Sequence, residues 1–165
     1  ELQQEGIQYY HRYISLFQIE DFRGVVRDTA RNLELFAFVK KYAADEEIAR
    51  SMQQFRPYVL MMNTRARASI ELSRDDLPAA LRQIERGRGK ILEVYREAGN
   101  ADAAANSPEI QFLEDWHDDL VASRPLTDLD RLRQEMDEAV QREAYERAAE
   151  LRDLIRAAEA AKQVS

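Results

Sequence analysis

Apolar residues recur at steps of three and four along most of this chain, and this spacing constrains the fold more than any other feature. Near the start they stand at Ile7, Tyr10, Ile14 and Phe17, on one side of a helix. Long runs that alternate apolar and polar residues, as strands do, are absent. Only five Gly and four Pro interrupt the 165 residues. The sequence therefore predicts an all-α fold.

The breaks between the predicted helices fall at turn and capping residues. Asp45 is placed to cap a short helix that ends at Gln54, and Pro57 suits the first turn of a long helix. Gly99 suits a helix end, and residues 99–107 predict a flexible connection and a domain boundary. The long helices are expected over residues 2–19, 22–42, 57–73, 77–98 and 108–122.

Two stretches of the N-terminal region align as an internal duplication. Residues 14–33 match residues 69–88 at an offset of 55, with Asp21 on Asp76. In each stretch a helix ends, two acidic residues turn the chain, and an apolar residue opens the next helix. The alignment predicts two similar helix-turn-helix units.

These units resemble the tetratricopeptide helix-turn-helix. Ala68 and Ala80 match its small-residue positions, whereas Tyr13 and Val25 stand there in the first unit. The offset also exceeds the repeat length of about 34 residues in that family. The sequence thus predicts a tetratricopeptide-like domain over residues 1–99, and not a regular array.

The tetratricopeptide resemblance implies a groove lined by the inner helix of each pair. Arg65 and Arg67 would then be able to bind an acidic peptide or a carboxylate. The alternative is that these arginines are solvated or paired with nearby acids, as charged helix faces usually are. The candidate groove residues are Tyr10, Ile14, Arg65 and Ser69.

Residues 126–161 predict a terminal hairpin of two amphipathic helices, with a turn at Gln141-Arg142-Glu143. Thr127 and Asp130 form a capping-box-like start. A bridging helix over residues 107–123 precedes the hairpin. So small a hairpin buries little surface, which predicts that it packs against something else.

The segment YERAAELRDLI over residues 145–155 resembles the UVR motif, the interaction hairpin of the excision-repair subunits UvrB and UvrC. Glu135-Met136 and Ala139 match the first helix of that motif, whereas Ala157-Ala158 replace its final large apolar residue. The resemblance implies a protein-docking device. Its candidate partner-binding residues are Leu132, Met136, Ala139, Tyr145, Glu146, Ala149, Arg152, Asp153 and Ile155.

Two interpretations of the hairpin follow from this resemblance. In the first, it binds a partner protein, either another UVR hairpin or a second copy of this chain. In the second, the same residues only hold the hairpin together or pack on the bridging helix. The leading hypothesis is a bacterial cytoplasmic adaptor or scaffold, and the alternative is an excision-repair factor that acts on DNA together with excision-nuclease subunits.

The charge and the residue types disfavour other classes of function. A net charge of −7 argues against direct nucleic-acid binding. No apolar run suits a membrane span, and the lack of Cys excludes disulfides and thiolate metal sites. The chain begins at Glu1 and not at Met, which predicts an excised or processed protein.

The sequence gives little support for catalysis. Glu114 and His117 form one Glu-x-x-His element, but di-iron helical bundles use that element in pairs. A helical-bundle metal enzyme is therefore the weakest of the three hypotheses. Phosphate-binding loops and nucleophile elbows are not recognisable. We expect no enzymatic activity, no metal and no cofactor.

Overall fold

The computed structural model describes residues 2–124 and 128–163, with side chains over 4–124 and 128–160. All regular structure in these ranges is helical, which confirms the predicted all-α class. The elements are α1 (Leu2–Gln18), α2 (Phe22–Tyr42), α3 (Glu46–Gln53), α4 (Arg56–Leu72), α5 (Leu77–Glu97), a 3-10 helix (Ala101–Asn106), α6 (Pro108–Ala122), α7 (Asp128–Gln141) and α8 (Tyr145–Gln163).

The chain forms two compact units, Glu1–Ala122 and Ser123–Ser165. Helix α6 packs against α5 and α4 within the first unit. The predicted division into a domain over 1–99, a bridging helix over 107–123 and a hairpin over 126–161 stays a prediction.

In the first unit, each long helix packs on the next one along the chain. Helix α1 contacts α2, α2 contacts α4, and α4 contacts α5, while the short α3 lies against α2. Side chains of α1, α2, α4, α5 and α6 together form one apolar core. Its fully buried large members include Tyr13, Val25, Ile84, Ile91 and Leu113.

The two turns of the internal duplication have the same backbone geometry. Glu20 and Asp75, 55 residues apart, both adopt left-handed φ angles, of 60° and 58°. In both turns the next residue, Asp21 or Asp76, caps the following helix by accepting a 2.9 Å hydrogen bond from the amide three positions on. The duplication therefore extends from sequence to local structure. Its tetratricopeptide-like character stays a prediction.

The segment between α5 and α6 is helical and packs on the core of the first unit, whereas a flexible connection was expected at residues 99–107. Gly99, with φ of 67°, ends α5, and a 3-10 helix follows at once. Ala104 is buried in the core of the first unit, and Ser107 Oγ accepts a hydrogen bond from the amide of Ile110 at the start of α6. Small alanines supply this packing, and they give no apolar spacing that sequence analysis detects.

The second unit is a helical hairpin with a small core of its own. Ala139, Ala148 and Leu151 are buried, and Leu132 and Met136 pack against them. The chain turns at residues 142–144, with Glu143 at φ of 57°, close to the predicted turn. The predicted hairpin start at residue 126 and the cap at Thr127 lie outside the described residues.

Candidate docking surfaces

Four of the nine candidate binding residues of the hairpin are either buried or packed against its small core. Ala139 and Ile155 are buried. Leu132 and Met136 are partly buried against the small core. Their contacts within the protein leave them little surface for a partner.

The other five candidates lie on α8 with more surface available. Tyr145 is 66% exposed, and Glu146, Arg152 and Asp153 are also exposed, while Ala149 is partly buried. Tyr145, Ala149 and Arg152 follow at steps of four and three, so they share one face of α8. As binding residues, all nine stay predictions.

An ion pair between the two helices identifies one flank of the hairpin. Arg133 of α7 pairs with Glu159 of α8 at 2.6 Å. Residues seven positions apart lie on nearly the same line of a helix. Val140 therefore shares this flank with Arg133, and Arg152 and Tyr145 share it with Glu159. We call these five residues the Tyr145 flank.

A second ion pair identifies the opposite flank. Arg147 of α8 reaches Glu135 of α7 at 3.7 Å and Glu150 at 2.9 Å. Leu154 stands seven positions after Arg147 and is 51% exposed. Glu135, Arg147 and Leu154 form the Leu154 flank. Sequence analysis did not single out Leu154 or Val140, which is 49% exposed, because the family resemblance does not name them.

In the first unit, Arg65 of α4 lies between two aromatic rings. Its guanidinium carbon is 4.5 Å from the ring centroid of Phe17 on α1 and 4.7 Å from that of Phe112 on α6. Sequence analysis did not place either ring beside Arg65, since only tertiary packing brings them together. Of the other groove candidates, Tyr10 is exposed, whereas Ile14 and Ser69 are partly buried.

The Arg65 guanidinium has few partners for its N–H groups. It donates one weak bond, to the sulfur of Met62 at 3.6 Å, and within the described part of the chain it forms no ion pair with a carboxylate. Burial lowers the pKa of Arg65, and the neighbouring Tyr58 offsets this in part. Arg67 differs, because it donates to Asn63 Oδ1 at 2.9 Å and is thereby held in the structure.

A pocket of about 470 Å³ opens beside Tyr58, between α1, α2, α3 and α4. Its walls are mainly aromatic and aliphatic. Tyr13 and Asn32 are among its lining residues. The hydroxyl of Tyr13 and Oδ1 of Asn32 are themselves buried, and neither has a hydrogen-bond partner among the described residues. The rings of Tyr10 and Tyr58, which both line the pocket, lie 6.1 Å apart.

The residues considered for metal chemistry have other partners. Glu114 pairs with Arg88 at 3.0 Å, and His117 contacts Asp118 at 3.1 Å. Over residues 2–124 and 128–163, no three His, Cys, Asp or Glu side chains gather as a metal site. Within the same ranges, no helix is long and apolar enough to cross a membrane.

The C-terminal hairpin is a UvrB/UvrC-type motif. Residues 129–161 match the family described as the UvrB/uvrC motif, which spans α7, the turn and most of α8. Motifs of this family mediate protein interactions of the UvrB/UvrC type. Neither the curated proteins nor the solved structures provide a match to the chain.

Proposed function

We propose that this protein is a non-catalytic adaptor that binds another protein through the Tyr145 flank of its hairpin. The observation that carries the proposal is a large aromatic side chain, 66% exposed, within a motif of protein-interaction type. Val140 on the same flank adds apolar surface. An aromatic ring with a polar tip is a frequent centre of protein interfaces.

The charges on this flank suit a partner with the same kind of hairpin. Arg133 and Arg152 are cationic and Glu159 is anionic, so the flank carries both signs around its apolar centre. A surface with both signs is able to pair with a copy of itself about a two-fold axis. We therefore propose a second copy of the chain, or another UvrB/UvrC-type hairpin, as the partner. A bacterial, cytoplasmic setting belongs to the same proposal.

The test compares two glutamate variants of the full chain, Tyr145→Glu and Leu154→Glu. Both place one new carboxylate at an exposed apolar position of α8, but on opposite flanks. We would measure self-association by light scattering over a concentration series, and binding to a labelled UvrB hairpin by fluorescence anisotropy. Tyr145→Glu should abolish whichever association the wild type shows, because it buries a charge in the interface, whereas Leu154→Glu should preserve it.

Two outcomes would overturn this proposal. One is a wild-type chain that stays monomeric and does not bind the labelled hairpin at any accessible concentration. The other is an equal loss of association in both variants, which would indicate damage to the hairpin and no specific flank. Circular dichroism of each variant checks that the helices are retained.

The alternative is an excision-repair factor that acts on DNA together with excision-nuclease subunits. Its support is the description of the matched motif, and the net charge of −7 weighs against direct DNA contact. Anisotropy of a labelled DNA duplex at several salt concentrations tests it. Salt-dependent binding that persists in Tyr145→Glu would favour this alternative over the adaptor.

A further inference from the structure

Arg65 of α4 is restrained by two aromatic rings that come from two other helices. Its guanidinium carbon lies 4.5 Å from the ring centroid of Phe17 on α1 and 4.7 Å from that of Phe112 on α6. Contacts of this kind hold an arginine side chain through cation–π attraction. The guanidinium is therefore kept in one place, and its N–H groups are held in a narrow range of directions.

One edge of the Arg65 guanidinium has no partner and is not buried. Nη1 donates to the sulfur of Met62 at 3.6 Å. Nε and Nη2 donate to no described residue, and neither is among the buried polar atoms that lack a partner, so both keep surface that solvent reaches. The N–H groups of Nε and Nη2 point the same way from a guanidinium. Together they form the edge that binds both oxygens of one carboxylate.

The described part of the chain supplies no carboxylate to this edge. Glu109 stands three positions before Phe112 and so on the same side of α6, but it accepts a hydrogen bond from Ser107 Oγ at 2.8 Å. Burial lowers the pKa of Arg65, and no described carboxylate opposes this effect. A partly buried charge without a counter-ion is unfavourable, and a carboxylate from outside the chain would offset that cost.

The surroundings of Arg65 favour a monocarboxylate that carries an apolar group. Phe112 is 38% exposed, and the ring of Trp116 lies 6.4 Å from it, so an apolar group beside the carboxylate has aromatic surface to contact. A phosphate dianion fits less well, because the net charge of −7 repels it. Arg67 of the same helix donates to Asn63 and supplies no second cation.

We propose that Arg65 binds the carboxylate of a ligand whose apolar group packs on Phe112. Nε and Nη2 each donate one hydrogen bond to a carboxylate oxygen. The site lies in the first unit and does not depend on the adaptor proposal, which concerns the hairpin. A free acid and the C-terminal residue of a peptide offer the same chemistry, so the test includes both sources.

The first experiment varies the ligand and uses the wild-type full chain at about 0.15 M salt, which screens distant charges. The probe is 3-phenylpropionate, and the matched probes are 3-phenylpropanamide, which lacks the charge, and acetate, which lacks the ring. Titrations followed by NMR give each Kd and locate the site from the Arg65 Nε–H and Phe112 ring signals. We expect the amide and acetate each to bind about 10-fold more weakly, through loss of the charged hydrogen bonds or of the apolar contact.

The second experiment changes the protein. Arg65→Met keeps an apolar side chain between the two rings, so it should weaken 3-phenylpropionate to the level of the amide and leave binding of the amide unchanged. Arg65→Lys keeps the charge without the two-donor edge, and it should restore only part of the affinity. Arg67→Met is the matched control, since it removes one exposed arginine from the same helix, and it should change no Kd.

Acetyl-Gly-Gly-Phe with a free carboxylate distinguishes the two sources. Binding as tight as that of 3-phenylpropionate favours a peptide C-terminus, and weaker binding favours a free acid. The proposal is overturned if 3-phenylpropionate does not saturate the protein, if the amide binds equally, if phenyl phosphate binds more tightly, or if the shifts lie away from Arg65 and Phe112. These outcomes need only the wild-type protein, so a misfolded variant does not prevent a decision.

Discussion

Gly87 of α5 faces the side chain of Thr64 across the interface with α4. A Cβ atom at residue 87 would overlap that side chain, with its centre only 2.6 Å from Thr64 Cβ. Thr64 has no room to turn away, because it is buried and its hydroxyl donates to the carbonyl of Leu60 at 2.8 Å. The glycine therefore sets how closely these two helices approach.

We expect Gly87→Ala to destabilise the first unit by about 1–3 kcal/mol through overpacking. Gly89→Ala is the matched control on the same helix, since nothing lies within 4 Å of the added methyl group. There the gain in helix propensity should stabilise the unit by up to about 1 kcal/mol. Urea unfolding followed by Trp116 fluorescence measures both, and equal effects would contradict the close approach.

The buried hydroxyl of Tyr13 lowers the stability of the folded protein. The side chain is fully buried, its hydroxyl has no partner among the described residues, and burial raises its pKa, with Tyr58 and Tyr10 adding to the rise. The folded state thus holds this proton more tightly than the unfolded state does. Its contribution to stability is present below the unfolded pKa of about 10 and is lost progressively as the pH rises above that value.

Tyr13→Phe should raise the free energy of unfolding at neutral pH by about 1 kcal/mol, because it removes a buried group without a partner. It should also reduce the loss of stability above pH 10. Urea unfolding across that pH range measures both effects. A destabilised variant at neutral pH would show that the hydroxyl has a partner, and unchanged alkaline sensitivity would show that other groups cause it.

At the scale of elements, the hairpin depends on very few buried side chains. Leu151 is the most deeply buried of them, and among the described residues the small core around it consists of Ala139, Ala148, Leu132 and Met136. Replacing a buried leucine by alanine costs about 2–5 kcal/mol. That is a large share of what a hairpin of this size is able to gain from burial.

We therefore expect Leu151→Ala to unfold the hairpin. Hydrogen exchange should show lost amide protection over α7 and α8, and circular dichroism should show reduced helix content. Leu154→Ala, at an exposed position one turn away, is the control and should leave protection intact. Retained protection in Leu151→Ala would mean that the hairpin is stabilised by more than its own core.

Glu97 connects three helices of the first unit. From the end of α5, its carboxylate accepts bonds from Lys40 of α2 at 3.0 Å and Arg56 of α4 at 2.9 Å. These two bonds lower its pKa. Its contribution to stability is therefore present above the unfolded pKa and is lost as the pH falls through the lower, folded value.

Glu97→Gln should accordingly reduce stability slightly at neutral pH and make no difference at strongly acidic pH. Glu85→Gln, at an exposed position of the same helix, is the control for loss of one negative charge. Thermal unfolding at several pH values and at low salt measures the difference, because salt screens exposed pairs. If Glu97→Gln stays less stable than the wild type in strong acid, the difference does not arise from the charge of the Glu97 carboxylate.

Local residues explain why most helix bounds were predictable, and packing explains what was not. Asp21 and Asp76 stop one helix and cap the next, and Gly99 ends α5, so these bounds follow from the sequence alone. The placement of Arg65 between two rings depends on how the tertiary fold positions α1 and α6 relative to α4. Among the candidate docking residues, the motif identified the hairpin, but only the folded hairpin separates the buried Ala139 from the exposed Tyr145.

At the scale of the whole molecule, each of the two compact units has an apolar core of its own. Trp116, the only tryptophan, packs against the core of the first unit. Its fluorescence therefore reports on that unit, while amide protection over α7 and α8 reports on the hairpin. A substitution in one core can therefore be followed separately in each unit, by Trp116 fluorescence for the first and by amide protection for the hairpin.

If the cores are energetically independent, Leu151→Ala should leave the urea midpoint of Trp116 fluorescence unchanged, and Gly87→Ala should lower it. The double variant should then show the Gly87→Ala shift alone, with an interaction energy below about 0.5 kcal/mol. Gly87→Ala should in turn leave amide protection over α7 and α8 intact. A Trp116 midpoint that moves in Leu151→Ala would contradict this independence and show that folding of the hairpin stabilises the first unit.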